Sequence, residues 1–352
     1  MVKSMEISIS QSSIGEQHPV FIIAELSANH NQKFDVAVET IKAMKDAGAD
    51  AVKLQTYTPD TITIDCDNDY FKIKQGTIWD GRNLYDLYKE AFTPWDWQPK
   101  LKEIAENEGL ICFSSPFDKT AVDFLEEMNV PAYKVASFEI TDIPLIEYIA
   151  SKGKPVIIST GIATLTDIEE AINACHRMDN QKIALLKCTS AYPAPFEEVN
   201  LRTIPNLAET FNAIVGLSDH TLGISVPIAA VALGAKIIEK HFILDKNIGG
   251  PDAAFSLEPD EFKSMVSAVR EVEKALGDVC YTLTDKTRKS REFSRSLFTV
   301  KDIDKGEIFT EENVKSIRPG FGLHPKYINE ITGKKAKNRI PKGTPMDWTL
   351  IE

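Results

Sequence analysis

The chain has 352 residues, of which 43% are hydrophobic and 26% are charged, and its formal net charge is −12. This composition is ordinary for a globular enzyme, and the negative charge argues against non-specific nucleic-acid binding while allowing a local basic pocket for a small anion. No apolar run is long enough to span a membrane and residues 1–5 open no secretory signal, so we expect neither a membrane nor a nucleic-acid partner. The five scattered cysteines form no CxxC pair, which predicts reduced thiols in a cytoplasmic protein.

From Val20 the chain alternates short apolar runs with amphipathic stretches. Helical periodicity lies between the runs, for example in Phe34–Ala47, Trp95–Glu108, Lys119–Met128 and Ile143–Ser151. Eight βα repeats with near-continuous apolar strands predict a (β/α)8 TIM barrel over residues 1–277. A doubly wound sheet is the alternative, but no GxGxxG motif opens a helix after the first strand. The predicted strands are Val20–Ala24, Ala51–Gln55, Leu110–Ser114, Ala132–Ala136, Val156–Ser159, Ile183–Lys187, Ile214–Leu217 and Lys236–Glu239.

One connection, Thr58 to Thr93, is much longer than the others and rich in aromatic residues. A long insertion after a barrel strand typically forms a lid or a wall of the substrate pocket. Its aromatic residues, with Trp95 just beyond it, could supply such a wall. A surface loop outside the substrate pocket, or a segment that forms an oligomer contact, is the alternative. The aromatic residues of this predicted wall are Trp79, Tyr85, Tyr88 and Trp95.

The C-terminal part of the chain differs in character from the barrel repeats. Residues 278–292 are polar and basic without a clear period, which predicts a linker. Residues 293–352 combine short strand patterns with turns rich in glycine and proline, and this predicts a small β-rich domain. Because a domain of roughly sixty residues is marginal alone, we expect it to dock on the barrel or on another subunit.

Two histidines end neighbouring predicted strands, His220 in the seventh and His241 in the eighth. A helical pattern over Val226–Gly234 separates them, so strand, helix and strand form a βαβ unit. Both side chains should therefore emerge at the same carboxyl edge of the barrel, where barrel enzymes keep their active sites. Two imidazoles there could bind a divalent metal and leave positions open for substrate and water. Two hydrogen-bonded structural histidines are the alternative.

Lysines and hydroxyl groups are also predicted to converge on this edge. Lys53 shares a strand face with Gln55, and Ser218 shares one with His220, because alternate residues of a strand face the same side. Together with backbone amides, such groups make a phosphate site, although any single hydroxyl could equally be a helix cap. The remaining members of this set are Ser115, Lys134, Ser137 and Ser159.

Three carboxylates are predicted near the same edge: Glu25 at the end of the first strand, Glu139 after the fourth and Asp252 after the eighth. They could perform acid–base chemistry or hold sugar hydroxyls. Ordinary solvated loop carboxylates are the alternative.

Seven ordered motifs resemble the sialic acid synthase family, and the similarity runs from about Val20 to the C-terminus, where the tail resembles the antifreeze-like (SAF) domain of that family. The motifs are Glu25–His30, Lys53–Thr56, Ser114–Phe117, Lys134–Ser137, Ser159–Gly161, Gly216–His220 and Glu239–Phe242. Within the family, other segments are most similar to the branch that makes pseudaminic acid. These are Gly76–Gly81, Tyr85–Tyr88, Thr93–Trp95, Ala136–Glu139 and Arg318–Pro325.

This resemblance implies condensation of phosphoenolpyruvate with an amino-sugar aldehyde, here 2,4-diacetamido-2,4,6-trideoxy-L-altrose. It implies a divalent metal cofactor, Mn²⁺ or Mg²⁺, on His220 and His241, and a homodimer in which the small domain caps the partner's barrel. Phosphoenolpyruvate is expected at Lys53, Ser115, Lys134, Ser137, Ser159 and Ser218. The sugar is expected at Gln55, Ser190, Tyr192 and Arg318, although the family often has Asn in place of Ser190.

Within this chemistry we expect Glu139 to handle the proton of the attacking water or of the new alcohol, and Glu25 and Asp252 to orient the sugar. N-acetylneuraminate and legionaminate synthases are alternatives within the family. A Schiff-base aldolase using Lys53 or Lys134 is an alternative enzyme class, in which the two histidines would have no role. A sugar- or ice-binding module centred on the C-terminal domain would leave the polar residues of the barrel edge unexplained.

Overall fold

Eight parallel strands close into a barrel in the first of the two units of this computed structural model, which describes residues 5–74 and 76–352. The units are Met1–Gly277 and Asp278–Glu352. A short hairpin precedes the barrel and pairs β1 (Glu6–Ile9) with β2 (Ser12–Gly15). The barrel strands follow in chain order, and the last closes on the first: β3 (Phe21–Glu25), β4 (Ala51–Thr56), β5 (Ile111–Pro116), β6 (Tyr133–Val135), β7 (Val156–Ser159), β8 (Ile183–Cys188), β9 (Ile214–Asp219) and β10 (Ile237–His241).

Each of the eight predicted strands coincides with one barrel strand to within two residues at either end, so the predicted TIM barrel is confirmed. The strands are buried almost throughout because helices cover the outer face of a parallel barrel while side chains fill its interior. The N-terminal hairpin was not predicted. Its apolar residues Ile7, Ile9 and Ile14 are buried in the same core as the barrel strands.

Several helices begin where a capping residue precedes apolar periodicity. Asp118 accepts hydrogen bonds from the backbone amides of Thr120 and Ala121, and Thr164 forms a capping box with Asp167. The helices of the first unit are α1 (Phe34–Asp46), α2 (Pro59–Ile62), α3 (Leu84–Ala91), α4 (Gln98–Asn107), α5 (Lys119–Glu127), α6 (Ile143–Ala150), α7 (Leu165–Arg177), α8 (Thr203–Phe211), α9 (Ser225–Ala232) and α10 (Pro259–Leu276). Its 3-10 helices are Asp69–Phe71, Trp95–Trp97, Ser137–Glu139, Phe196–Glu198, Lys246–Ile248 and Ala253–Phe255.

The second unit has a hydrophobic core of its own, which includes Leu297, Phe309 and Met346. Strands β11 (Ser296–Thr299) and β12 (Val314–Ile317) pair antiparallel. The predicted linker 278–292 belongs to this unit by its contacts and contains a helix. The helices of the unit are α11 (Asp285–Ser290) and α12 (Ile328–Ile331), with 3-10 helices at Arg291–Phe293, Pro325–Tyr327 and Trp348–Leu350.

Within residues 5–74 and 76–352, none of the helices combines the length and the apolar character that a membrane span requires. The prediction that residues 1–5 form no secretory signal falls largely outside the described residues. All five cysteines are free thiols.

Candidate active site

The carboxyl edge of the barrel brings most of the predicted site residues together. Glu25 ends β3, and the parallel register places it beside Lys53 of β4 on one side and His241 of β10 on the other. Ser218 of β9 lies level with Glu239 of β10. Because strand side chains alternate between the two faces, residues at these register positions project together at one end of the barrel.

A buried carboxylate, Glu239, links the predicted anion-binding residues. Its Oε1 atom accepts hydrogen bonds from Lys53 Nζ at 2.7 Å and from Ser218 Oγ at 2.9 Å, and Lys134 Nζ lies 3.8 Å away. Lys53 Nζ also lies 3.1 Å from Glu25 Oε2. Burial lowers the pKa of Lys53, but the two carboxylates outweigh this effect and raise the pKa above its ordinary value, so the ammonium keeps its charge.

Lys134 has weaker support than Lys53. Its Nζ donates to Ser159 Oγ at 2.7 Å and to the Val135 carbonyl at 3.0 Å, which are both neutral acceptors. Burial lowers the pKa of Lys134 to about 8, although the charge of Glu239 opposes this change. The ammonium of Lys134 is therefore the more readily deprotonated of the two.

Several polar atoms of the site are buried without a hydrogen-bond partner among the described residues. They include Ser115 Oγ, Ser190 Oγ and Glu239 Oε2. Ser137 is satisfied, because its Oγ accepts a hydrogen bond from the Gly161 amide at 3.1 Å. Since buried polar groups normally have partners, these unpartnered atoms, together with the two lysines, indicate a pocket built for a polar ligand.

The two histidines lie side by side, with ring centroids 5.3 Å apart. His241 Nε2 lies 3.1 Å from Glu25 Oε2, and its Nδ1 is buried without a hydrogen bond, 3.7 Å from Asp252 Oδ2. Burial lowers the pKa of His241. Burial lowers the pKa of His220, but the thiolate form of Cys188 and the Glu25 carboxylate favour the charged imidazole and raise the pKa above its ordinary value.

This donor set fits a divalent cation, because an unpartnered imidazole nitrogen faces carboxylate oxygens beside a second imidazole. Within the part of the chain that the structure describes, no three His, Cys, Asp or Glu side chains converge on one point. Coordination by the two histidines alone would leave the remaining positions of a cation to water or substrate.

The three predicted carboxylates have different surroundings. Glu25 accepts a hydrogen bond from Gln55 Nε2 at 2.8 Å, and although burial raises its pKa, His241 and Lys53 hold that pKa far below its ordinary value. Asp252 accepts a hydrogen bond from the Ser27 hydroxyl. Glu139 lies in the 3-10 helix after β6 with Oε2 unpartnered, and burial raises its pKa to about 7. The pKa of about 7 suits Glu139 to exchange protons near neutral pH.

An aromatic wall covers the histidine pair. Tyr192 packs on the ring of His220 at 4.4 Å, and Trp79 packs on Tyr192 at 5.3 Å. Phe255 lies 5.0 Å from His241 and 5.2 Å from Tyr192. The indole nitrogen of Trp79 donates to the Pro251 carbonyl at 3.0 Å, which ties the long insertion to the loop after β10.

Of the four aromatic residues predicted to form this wall, only Trp79 packs on Tyr192 and Phe255, the rings that contact the histidines. Tyr85 donates to Asp60. Tyr88 packs on Tyr57, and Trp95 stacks on Phe124.

Arg318 lies in the second unit, directly after β12. The predicted role of this residue in sugar binding stays a prediction.

Sequence reasoning missed three residues of the site: Glu239, Cys188 and Phe255. Glu239 had a usable signal, because it stands two positions before His241 in an apolar strand and therefore shares its face. Cys188 Sγ lies 3.7 Å from His220 Nδ1, and a cysteine in an apolar run gave no reason to expect that contact. Phe255 ends the short 3-10 helix Ala253–Phe255, where the sequence shows no periodicity.

Comparison with known proteins matches residues 40–281 to the NeuB family and residues 294–352 to the SAF domain. The chain is 53% identical to a pseudaminic acid synthase of Campylobacter jejuni over 92% of this chain and 94% of that protein. It is 50% identical to a pseudaminic acid synthase of Helicobacter pylori over 95% and 98% of the two chains.

Among solved structures, the crystal structure of the N-acetylneuraminic acid synthetase of Leptospira borgpetersenii in complex with citrate is similar, with a TM-score of 0.73 and 32% identity. The similarity covers 82% of this chain and 96% of that one. These similarities agree with the seven motifs and the barrel architecture. The chain therefore belongs to the NeuB family and carries a C-terminal SAF domain.

Proposed function

We propose that this chain is a pseudaminic acid synthase, which condenses phosphoenolpyruvate with 2,4-diacetamido-2,4,6-trideoxy-L-altrose and water to form pseudaminic acid and phosphate. The observation that carries the proposal is identity of 50% or more, over more than nine-tenths of the chain, to two proteins of that activity. The buried set of lysines and hydroxyls at the barrel edge supplies the groups that an anionic substrate needs.

In the proposed site, Lys53 and Lys134 bind the phosphate and the carboxylate of phosphoenolpyruvate. Hydroxyl groups add hydrogen bonds to the same anion, and the low exposure of the pocket strengthens every one of these interactions. The hydroxyls proposed for this role are Ser115, Ser137, Ser159 and Ser218.

The enol carbon of phosphoenolpyruvate then forms a bond to C1 of the sugar aldehyde, and the aldehyde oxygen takes a proton to become a hydroxyl. Water adds to the former enol C2 and loses a proton, and the tetrahedral adduct expels phosphate by cleavage of its C–O bond. We assign proton transfer to Glu139, because its pKa of about 7 allows it both to accept and to donate. Glu25, Gln55, Ser190, Tyr192 and Asp252 are proposed to orient the sugar.

The test is a phosphate-release assay on the full chain with a panel of amino sugars. A 6-deoxy sugar presents a methyl group where N-acetylmannosamine presents a hydroxyl, and an apolar wall rejects an added hydroxyl by only about a hundredfold. We therefore expect strong but not absolute preference for the 6-deoxy diacetamido sugar. Equal or higher kcat/KM for N-acetylmannosamine would place the protein in the sialic acid branch.

We further propose that His220 and His241 hold Mn²⁺ or Mg²⁺. A divalent cation bound there supplies Lewis-acid polarisation of the aldehyde oxygen. A chelator should abolish activity, and added Mn²⁺ should restore the wild type but neither His220→Ala nor His241→Ala. Full activity of the metal-stripped wild type would contradict this assignment.

A homodimer with shared active sites is the proposed assembly, with Arg318 reaching the sugar in the partner's barrel. In support, both units expose large apolar side chains. Phe138 and Phe196, in 3-10 helices that follow barrel strands, are 59% and 56% exposed. Phe293 and Phe321 of the second unit are 70% and 66% exposed. Exchange of an element between protomers is a low-cost route to a two-fold dimer.

Mixed dimers of Arg318→Ala and Glu139→Gln test the shared site. Each variant should be nearly inactive alone, but random reassortment should restore about a quarter of the wild-type sites. If the C-terminal domain instead completed the active site of its own chain, every site would carry one of the two substitutions and no activity would be recovered. Absence of recovery, with mixed dimers confirmed by mass spectrometry, would reject the exchange.

A cytoplasmic location is also proposed, because all five thiols are free and Cys112 and Cys175 are buried. A reducing compartment preserves such thiols.

A further inference from the structure

Two charged residues stand immediately before the histidines of the proposed metal site. Asp219 precedes His220 at the end of β9, Lys240 precedes His241 in β10, and the parallel register places Asp219 and Lys240 side by side. Because side chains alternate along a strand, these two residues point away from the face that carries the histidines. Lys240 is 0% exposed, Asp219 3% and Thr221 1%.

The three side chains form a closed set of hydrogen bonds around the backbone of His220. Lys240 Nζ donates to Asp219 Oδ2 and to the Thr221 carbonyl, both at 2.5 Å. The Thr221 amide donates to Asp219 Oδ1 at 3.0 Å, and its hydroxyl donates to Asp219 Oδ2 at 3.1 Å. His220 thus lies between Asp219 and Thr221, which are hydrogen-bonded to each other and to Lys240 of β10.

Stability alone gives little reason for such an arrangement. Removing two charges from water is costly, and a buried ion pair is often no more stable than a well-packed apolar pair of similar volume. Hydrogen bonds, unlike apolar packing, fix the direction of each donor and acceptor group. Here the hydrogen bonds of Lys240 tie the end of β9 and the turn after it to β10.

We propose that Asp219, Thr221 and Lys240 are positioning residues that hold His220 and His241 at the separation needed for one divalent cation. We call this set the strand-end clamp. The inference rests on the proposed metal site, and the clamp acts through the two backbones, since its residues make their contacts on the opposite face of the strands. Outer residues that orient metal ligands typically change metal affinity about 10- to 100-fold when they are replaced.

The test is the double variant Asp219→Asn/Lys240→Met in the full chain. Asparagine keeps an acceptor for the Thr221 amide, and methionine fills the volume of the lysine stem, so no buried charge is left unpaired. Lys240→Met alone leaves Asp219 uncompensated and is the variant at risk of misfolding. As a control, a lysine–carboxylate pair of the first unit that is partly exposed, Lys154 with Glu126 (2.6 Å), is replaced by methionine and glutamine.

Mn²⁺ affinity is measured by electron paramagnetic resonance on metal-stripped protein, and thermal unfolding is followed in parallel. We expect the double variant to unfold within a few degrees of the wild type, because replacing a buried ion pair by uncharged side chains of similar volume is often nearly neutral for stability. Its affinity for Mn²⁺ should be about 10- to 100-fold weaker. The control should keep wild-type affinity. Wild-type Mn²⁺ affinity in the double variant would overturn the clamp.

Failure of the metal assignment is distinguishable from failure of the clamp. If the wild type itself binds no Mn²⁺, the metal part of the proposed function is wrong, and a crystal structure of the double variant then decides. An unchanged histidine pair, with ring centroids still 5.3 Å apart, would overturn the clamp, whereas displaced or alternative histidine positions would support it.

Discussion

Replacement of Glu139 by glutamine is expected to reduce activity strongly and also to remove a destabilising effect of this carboxylate that grows as pH rises. Burial raises the pKa of Glu139 from its ordinary value near 4.5 to about 7, because the carboxylate form loses its solvation and Oε2 has no hydrogen-bond partner. The nearby charge of Lys134 offsets only part of this penalty. The folded protein therefore holds this proton more tightly than the unfolded chain does.

The sign of the effect on stability follows from that difference. Below pH 4.5 Glu139 is protonated in both the folded and the unfolded protein, so it does not affect the free energy of unfolding. As pH rises from 4.5 to 7, Glu139 ionises in the unfolded protein only, and the free energy of unfolding falls. Above pH 7 the cost is complete, at about 3 kcal/mol. Between pH 5 and pH 8 the wild type should thus lose about 2.5 kcal/mol of unfolding free energy that Glu139→Gln does not lose.

The assay is urea unfolding of wild type and variant at pH 5 and pH 8, followed by tryptophan fluorescence. Three of the four tryptophans, Trp79, Trp95 and Trp97, lie in the first unit, so the signal reports mainly on the barrel. Glu127→Gln, on the exposed face of α5, is the control. In the same variant, loss of the proton-transfer group should reduce kcat by about 10²- to 10⁴-fold. A stability difference between wild type and Glu139→Gln that is the same at both pH values would refute this reasoning.

Two further substitutions test the anion pocket. In Gly161→Ala the new Cβ would collide with Ser190 Oγ and lie 2.6 Å from Ser137 Oγ. We therefore expect about 1–3 kcal/mol of destabilisation, measured by thermal unfolding, and a higher KM for phosphoenolpyruvate. An unchanged KM would contradict the position assigned to Ser137. Lys134→Met should weaken phosphoenolpyruvate binding in calorimetry. Because the pKa of Lys134 is lowered to about 8, wild-type affinity should fall as pH rises through 8, and the variant should lack that component; an identical pH dependence in both would count against Lys134.

The sequence alone determined the barrel and the faces of its strands. Eight apolar runs separated by helical patterns indicate strands buried on both faces, and a parallel barrel covered by helices provides that burial. Period-two alternation then placed Lys53 with Gln55 and Ser218 with His220, since alternation is a local property of extended backbone. The same rule would have found Glu239.

Only the tertiary structure decided which of these groups are partners. Lys53 of β4 and Glu239 of β10 are 186 positions apart and meet because β10 closes on β3, so no local pattern could pair them. The insertion shows the same limit. Trp79, Tyr85, Tyr88 and Trp95 are all aromatic in sequence, but of these four only Trp79 packs on Tyr192 and Phe255, which contact the histidines. The path of an irregular loop depends on long-range contacts, such as the hydrogen bond from Trp79 to Pro251, and these form only when the barrel has closed.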